Sequence, residues 1–237
     1  MSPTSKLSNA HFALGYVHRT WDWDWAAAED EAKRALAIDP HNSWALLLNG
    51  QIAATLGRWD EAERHLRAGL DRDPLNTFLL FNLATTLYRA GNYADAEASY
   101  RRLIEIAPKF AWAHGYLAKN LLADGKPAAA LEILEQERDE GDRLDQLPMV
   151  LWALGRKNES DAALKTLTDR FANSDAYFVA MNYSYRSDRA SALQWLDRAY
   201  RQREIGLGIE IVGESMFRNV ANDPGYKNLL RKMNLPE

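Results

Sequence analysis

The stretch LATTLYRAGNYADAEASYRRLIEIAP, residues 83–108, decides the fold, because its residue types return along the chain at one fixed interval. Proline, glycine and alanine each recur every 34 residues, as Pro40, Pro74 and Pro108, as Gly57, Gly91 and Gly125, and as Ala28, Ala62, Ala96 and Ala130. Several independent columns agree on the same period, which predicts a tandem array of one structural unit.

Each recurring residue type suits one place in a pair of α-helices. Glycine tolerates the left-handed backbone of a helix end, so the glycine column ends the first helix of each pair. Proline cannot continue a helix, so the proline column follows the second helix. Alanine is expected where the two helices approach closely. A bulky aromatic residue also recurs, as Trp25, Trp59 and Tyr93, and is expected to fill the wedge where the two helices diverge.

Polar residues mark the predicted starts of several helices. Asp24, Asp60 and Asn92 stand where the second helices begin, and such side chains accept hydrogen bonds from the first free N–H groups of a helix. Near the C-terminus, Asp223 followed by Pro224 predicts a last short helix, because proline is favoured at the first helical position. We expect this helix to cap the end of the array.

The array becomes less regular towards the C-terminus. Gly155 follows Gly125 by only 30 residues, which predicts a fifth unit that is shortened around Glu140. A sixth unit carries Ser187 where the glycine is expected. We therefore predict a flexible N-terminus at residues 1–8 and a C-terminal cap at 204–237, with units between them at 9–40, 41–74, 75–108, 109–141, 142–172 and 173–203.

The repeat resembles the tetratricopeptide repeat (TPR) family. The third unit matches that family's pattern at Leu83, Ala84, Gly91, Tyr93, Ala96, Tyr100 and Pro108. The resemblance implies an all-α fold, a right-handed superhelix (α-solenoid) of about six helix pairs with a C-terminal capping helix. It also implies a non-catalytic scaffold that binds a protein or peptide in the concave groove formed by the first helix of each pair.

Two segments show a narrower resemblance. Residues 22–40, and residues 192–204 together with the ending 222–236, are similar to the TPR tails of bacterial adenylate-cyclase-like proteins and winged-helix regulators. In those proteins the tail follows a catalytic or DNA-binding domain. The resemblance implies a regulatory or interaction module, and no cyclase or winged-helix pattern appears in this chain.

Repeat register nominates the residues that would line the groove. They are Trp44, Leu48, Gln51, Phe78, Phe81, Asn82, Thr85, Arg89, Trp112, Tyr116, Lys119, Tyr177 and Phe178. Phe12 and Tyr16 stand where chaperone-tail clamps carry polar or basic residues, so we expect no clamp of that kind. An aromatic groove suits an apolar peptide or helix. The chain's own terminal segment or a second copy is an alternative occupant.

Composition excludes several classes of function. The chain has 29 basic and 33 acidic residues, a net charge of -4, which gives no basic footprint for nucleic acid. It has no cysteine for a disulfide framework or a thiolate metal site. No secretory signal or membrane-spanning run is visible. We expect a cytoplasmic protein that needs no cofactor and does not insert into membranes.

Other polar features have structural interpretations. In the run from Trp21 to Trp25, Trp25 falls at the recurring aromatic position and Asp24 at a helix start. This favours packing and capping over a cation site at Asp22 and Asp24. The five histidines show no metal-ligand spacing. Lys33, Arg67 and Arg101 recur at the repeat period, which predicts a solvated outer stripe, with an acidic partner as the alternative.

The leading hypothesis is therefore a protein-interaction scaffold without catalysis. Three alternatives stay open at this point. They are a regulatory tail of a larger signalling protein, a self-assembly scaffold, and an enzyme with a metal site at Asp22 and Asp24.

Overall fold

In the computed structural model, which describes residues 3–237, every regular element is helical. A π-helical turn, His18–Asp22, follows the first helix, and a short 3-10 helix spans Ser215–Phe217. The α-helices are α1 Pro3–Val17, α2 Trp25–Ile38, α3 Ser43–Thr55, α4 Trp59–Arg72, α5 Thr77–Arg89, α6 Tyr93–Ile106, α7 Ala113–Ala123, α8 Pro127–Leu134, α9 Glu140–Ala153, α10 Lys157–Phe171, α11 Ala176–Tyr185, α12 Arg189–Gln202, α13 Ile205–Glu210 and α14 Pro224–Lys232.

Consecutive helices pack as six pairs, from α1 with α2 to α11 with α12, and each pair contacts the next. This arrangement confirms the predicted all-α solenoid. The first helix begins at Pro3, so residues 3–8, expected to be flexible, belong to α1. Residues 1 and 2 of that expected segment lie outside the described residues.

The predicted turn residues adopt the backbone that the repeat needs. Gly57, Gly91, Gly125 and Gly155 have φ between +72° and +84°, a region that side-chain-bearing residues rarely adopt. Ser187 occupies the same place in the sixth pair with φ of +64°. The prediction that Ser187 replaces the repeat glycine is therefore confirmed.

Small residues allow the paired helices to approach closely. The alanine column, Ala28, Ala62, Ala96 and Ala130, is completely buried. At Gly50 a Cβ atom would lie 2.6 Å from Leu66 Cγ, so no larger residue fits without movement. The expectation of close contact at these columns is confirmed.

The predicted helix caps are confirmed in two cases and wrong in two. The Asp24 carboxylate accepts a hydrogen bond from Ala27 N at 3.0 Å, and Asp223 accepts from Gly225 N at 2.7 Å. Asp60 is not a cap, because α4 begins one residue earlier. Asn92 does stand before α6, but its side chain makes no capping hydrogen bond.

The recurring cations on the second helices each have a partner on their own helix. Lys33, Arg67 and Arg101 lie 3.1, 2.7 and 2.8 Å from the glutamate four residues earlier in the chain. Exposed pairs at this spacing contribute about 0.3–0.5 kcal/mol each to helix stability. The predicted solvated stripe therefore needs no acidic partner to explain it.

The C-terminal segment, residues 204–237, packs back against the start of the array. The indole Nε1 of Trp25 donates to Met233 O at 2.6 Å, and Trp23 packs against Tyr200 and Gly208. Of the tryptophans in the run, Trp25 and Trp23 are buried, and Trp21 is 64% exposed. One hydrophobic core consequently extends from the first pair to the last residues.

One buried carboxylate lies in the core without an ion-pair contact. Asp145 in α9 is 6% exposed, and its Oδ1 atom has no hydrogen-bond partner among the described residues. Burial raises the pKa of Asp145 well above its usual value, and Asp175 and Asp142 add to this. Burial also raises the pKa of nearby Asp142 to about 6. The folded chain therefore binds protons that the unfolded chain releases near pH 4.

Gly213 and Gly125 provide a matched test of how tightly the C-terminal segment is seated. Both have positive φ, but a Cβ atom at Gly213 would lie 2.7 Å from the Trp59 ring, whereas one at Gly125 would meet nothing within 4 Å. We expect Gly125→Ala to lower the free energy of unfolding by about 1 kcal/mol, the cost of left-handed backbone. Gly213→Ala should cost roughly twice as much in urea denaturation, and equal losses would contradict the close contact.

The Asp145 carboxyl predicts an unusual pH dependence. Because its pKa is raised in the folded state, protonation of Asp145 contributes to the free energy of unfolding. This contribution is fully present below about pH 4 and is lost as pH rises through the folded pKa. Asp145→Asn should therefore increase the free energy of unfolding more at pH 8 than at pH 5, as measured by urea denaturation. Asp95→Asn, which removes an exposed charge, is the control. A gain of equal size at both pH values would count against a buried acid.

Candidate functional site

The groove formed by the first helices is filled by the chain's own C-terminal segment. Arg89 of α5, Lys119 of α7 and Ser184 of α11 all hydrogen-bond to its backbone or side chains. Of the three occupants that the sequence left open, the structure contains the terminal segment.

Arg89 ties this segment to the repeats. Its guanidinium donates to Val212 O at 2.7 Å and to Ile209 O at 3.0 Å, and also to Ala54 O at 3.0 Å near the end of α3. It lies 5.1 Å from the centre of the Trp59 ring, a cation–π distance. One buried side chain therefore donates to three carbonyl groups, each of which is distant from Arg89 in sequence. Burial lowers the pKa of Arg89 from its ordinary value.

A buried charge cluster lies deeper in the groove. It comprises Lys119, Tyr88 and Tyr116 from the first helices and Glu210 and Glu214 from the C-terminal segment. The Lys119 ammonium is 2.9 Å from Glu214 Oε2 and 3.8 Å from Glu210 Oε2. The Tyr116 hydroxyl donates to Glu210 at 2.7 Å, and the Tyr88 hydroxyl donates to Glu214. Each carboxylate thus has a cation and a phenol as neighbours.

The two phenols remain proton donors. Burial raises the pKa of Tyr88 and of Tyr116 well above the usual value, and the carboxylates that accept their hydrogen bonds raise it further. Both hydroxyls are therefore neutral at physiological pH. The Lys119 ammonium also lies 4.3 Å from the centre of the Tyr116 ring, which partly replaces its lost hydration.

Sequence reasoning missed three charged residues of the groove. Arg19, in the π-helical turn, is 4% exposed and donates to Thr55 Oγ1 at 3.4 Å. Burial lowers the pKa of Arg19 to about 10. The other two are Glu210 and Glu214. The available signal was the spacing of these carboxylates, four residues apart in the otherwise apolar stretch from Ile205 to Phe217.

The nominated groove residues lie in different environments in the structure. Those that pack in the interior or against the C-terminal segment are Leu48, Thr85, Arg89, Tyr116, Lys119 and Tyr177. Thr85 Oγ1, for example, lies 3.0 Å from the Tyr100 hydroxyl. Phe178 is partly buried against Tyr177. None of these side chains presents a large surface to solvent, because the C-terminal segment and neighbouring helices cover them.

Three other nominated residues form an exposed row of rings. Trp44, Phe78 and Trp112 stand 34 residues apart at the starts of α3, α5 and α7, and they are 40%, 47% and 48% exposed. The rings of Trp44 and Phe78 lie 6.0 Å apart between centres, and Phe81 bridges to Trp112 at 6.1 Å.

Two further rings complete this row. Phe12 of α1 lies 5.5 Å from Trp44, and Phe110 lies 5.6 Å from Phe78 and 5.5 Å from Phe81. We call the whole set the aromatic column: Phe12, Trp44, Phe78, Phe81, Phe110 and Trp112. The contacts are tilted or edge-on, which are the favoured geometries for aromatic pairs. The column is therefore continuous across the first four helix pairs.

Two amides lie beside the aromatic column. Gln51 Nε2 donates to Asn82 Oδ1 at 3.1 Å, and Asn82 Nδ2 donates to Phe78 O at 2.8 Å. Gln51 Oε1 is buried without a hydrogen-bond partner. This polar link fixes α3 against α5 and holds the backbone that carries Phe78.

The described residues contain no group of three or more histidine, aspartate or glutamate side chains that could hold a metal ion. Asp24 caps α2, and the Asp22 carboxylate lies 2.8 Å from His18 Nδ1. Within the same residues 3–237, no helix is both long enough and apolar enough to cross a membrane.

Solved structures share this arrangement of helices. An O-GlcNAc transferase mutant of Thermobaculum terrenum is 25% identical over 58% of this chain, with a TM-score of 0.53, and the match spans 27% of that protein. The pilF protein of Pseudomonas aeruginosa is 17% identical, with 98% of this chain and 100% of that chain covered and a TM-score of 0.62. PilW, a type IV pilus biogenesis factor, is 16% identical, with coverage of 95% and 99% and a TM-score of 0.65. At these identities the matches to pilF and PilW show the fold alone.

Sequence profiles identify the repeat directly. One tetratricopeptide repeat profile matches residues 22–77 and 47–111, and a second matches residues 87–142. Together they span just over half of the chain. A search of curated protein sequences finds no significant match. The 34-residue columns, the six helix pairs and the two profiles lead to one conclusion, which is that the chain belongs to the tetratricopeptide repeat family.

Proposed function

We propose that this chain is a non-catalytic scaffold that binds an apolar segment of a protein or peptide along the aromatic column. The observation that carries the proposal is the row of half-exposed rings at Trp44, Phe78 and Trp112. A contiguous row of exposed aromatic side chains marks a surface that contacts another molecule. Rigid aromatic side chains are also the usual anchors of protein interfaces.

The occupied groove directs a partner to this column. A foreign peptide in the deep groove would have to displace the C-terminal segment and leave Lys119 and Arg89 without their partners. Removing one partner of a buried ion pair costs about 3–5 kcal/mol. The aromatic column requires no such displacement, because its three most exposed rings already face solvent.

The same contacts favour an apolar ligand over an anionic one. Lys119 and Arg89 are the nominated cations of the groove, and both are engaged inside the chain. Neither is free to hold the terminal carboxylate of a partner. This supports the expectation that the chain is not a chaperone-tail clamp.

The aromatic column can be tested by removing its exposed rings. We expect a Trp44→Ala, Phe78→Ala and Trp112→Ala triple variant to lose at least tenfold in affinity for peptides selected on the wild-type chain from a random library. Single anchor residues contribute about 1–2 kcal/mol or more, and 1.4 kcal/mol is a factor of ten. Fluorescence polarisation with labelled peptides gives the dissociation constants.

Leu75→Ala is the matched control for this variant. Leu75 is 66% exposed and lies outside the aromatic column, so its removal should leave the affinity unchanged. Circular dichroism should show wild-type helicity for both variants, because the altered side chains lie at the surface. Selected peptides that bind the triple variant as tightly as the wild type would refute the column as the binding surface.

The buried charge cluster can be tested by a double-mutant cycle. Lys119→Met leaves Glu214 without its cation, so we expect a loss of about 3–5 kcal/mol in the free energy of unfolding. Adding Glu214→Gln should restore part of this loss, because the uncompensated charge is removed. Urea denaturation gives all four free energies.

The exposed pair Lys165 and Asp169 is the control cycle. Its two substitutions should be additive within about 0.5 kcal/mol, as is usual for surface pairs. Additive behaviour at Lys119 and Glu214 as well would show that the C-terminal segment is not held by this ion pair.

A further inference from the structure

The helix α1 has an apolar face that no other element of the described residues covers. Leu7, Leu14 and Val17 are 53%, 51% and 45% exposed, and Trp21 in the following turn is 64% exposed. Exposed Ala10 completes the set. We call these residues, Leu7, Ala10, Leu14, Val17 and Trp21, the α1 face.

The spacing of the α1 face is that of a helix–helix contact. Its members follow one another at intervals of three, four, three and four residues, the pattern of a coiled-coil seam. The helix packs on α2 and α3 through its other side, where Ser8 and Gly15 are buried. A contiguous set of exposed apolar side chains marks an interaction surface.

The α1 face is separate from the aromatic column. Phe12 joins that column through Trp44, and Tyr16 lies 6.2 Å from Phe12 on the same side. Both positions fall outside the three-and-four spacing of the α1 face. A molecule bound to one surface therefore leaves the other one open.

We propose that the α1 face binds the same face of a second copy of this chain, with the two helices antiparallel about a two-fold axis near Leu14. In this arrangement Leu14 of one copy faces Leu14 of the other, Trp21 of one copy lies towards Leu7 of the other, and Val17 lies beside the small Ala10. Alternation of large and small residues across a contact allows close packing. Because the axis is two-fold, every contact is made twice.

Charge at the ends of the α1 face selects this orientation. Lys6, which is exposed, stands at one end, and Asp22, with a side chain that is 51% exposed, stands at the other. An antiparallel pair brings Lys6 of one copy to the end that carries Asp22 of the other. A parallel pair would instead place Lys6 against Lys6. At that end His18 Nδ1 lies 2.8 Å from the Asp22 carboxylate, Arg203 donates to Asp22 O at 3.4 Å, and Asp24 is also exposed.

The size of the contact sets its strength. The 15 residues of α1 span about 22 Å at 1.5 Å per residue. A single helix pair of this length buries less surface than a standard protein interface. The dimer is consequently weak and reversible, and its population depends on protein concentration.

The absence of cysteine from the sequence permits a direct crosslinking test. Under mild oxidation, Leu14→Cys should form a disulfide-linked dimer on a non-reducing gel, because this position lies next to the two-fold axis. Tyr16→Cys is the control, since this residue is 41% exposed on the same helix but lies off the α1 face. Equal crosslinking of the two variants, or none for Leu14→Cys, would overturn the proposed arrangement.

Sedimentation velocity over a range of concentrations tests the dimer without a crosslink. The wild type should shift from monomer to dimer, Leu14→Glu should stay monomeric, and Leu75→Glu, an equally drastic change at another exposed leucine, should behave as the wild type. Lys6→Glu should weaken the dimer several-fold, and adding Asp22→Lys should restore it. A wild type that is monomeric at every concentration would refute the proposal and assign the α1 face to a different partner.

Discussion

The ion pair between Lys119 and Glu214 is the contact on which the rest of the structure depends. Charges removed from water are costly, and this pair is tolerated because Tyr88, Tyr116 and Glu210 complete its surroundings. The arrangement exists only when the C-terminal segment lies across the first helices. The cluster therefore converts a row of helix pairs, which could otherwise remain open, into a closed unit with a single shared core.

Local features of this fold could be predicted from sequence, because each depends on a few neighbouring residues. The repeat pattern predicted the turns at the glycines. It also predicted the turn at Ser187, which has a positive φ although it is not a glycine. The preference of aspartate for helix starts identified the caps at Asp24 and Asp223. The same preference failed at Asp60, because the helices begin at Trp25 and Trp59, 34 residues apart, so Asp24 precedes its helix whereas Asp60 is already the second residue of α4.

The groove could be predicted only in part, for a different physical reason. Register indicates which side of a first helix faces inwards, and it therefore nominated Arg89, Lys119 and Tyr116. It does not indicate what lies opposite, because Lys119 and Glu214 are distant in sequence and no periodic column connects them. The same limit explains why register nominates both Trp44, which is exposed, and Tyr177, which is fully buried.

The hydrogen bond from Trp25 Nε1 to Met233 O joins the second helix of the array to the last residues of the chain. An open solenoid behaves as a spring, since each repeat contacts only its neighbours and small rotations accumulate along the axis. A bridge between the two ends removes that compliance. The rings of the aromatic column are then held at fixed separations. A ligand that binds them must therefore adapt its own conformation to that spacing.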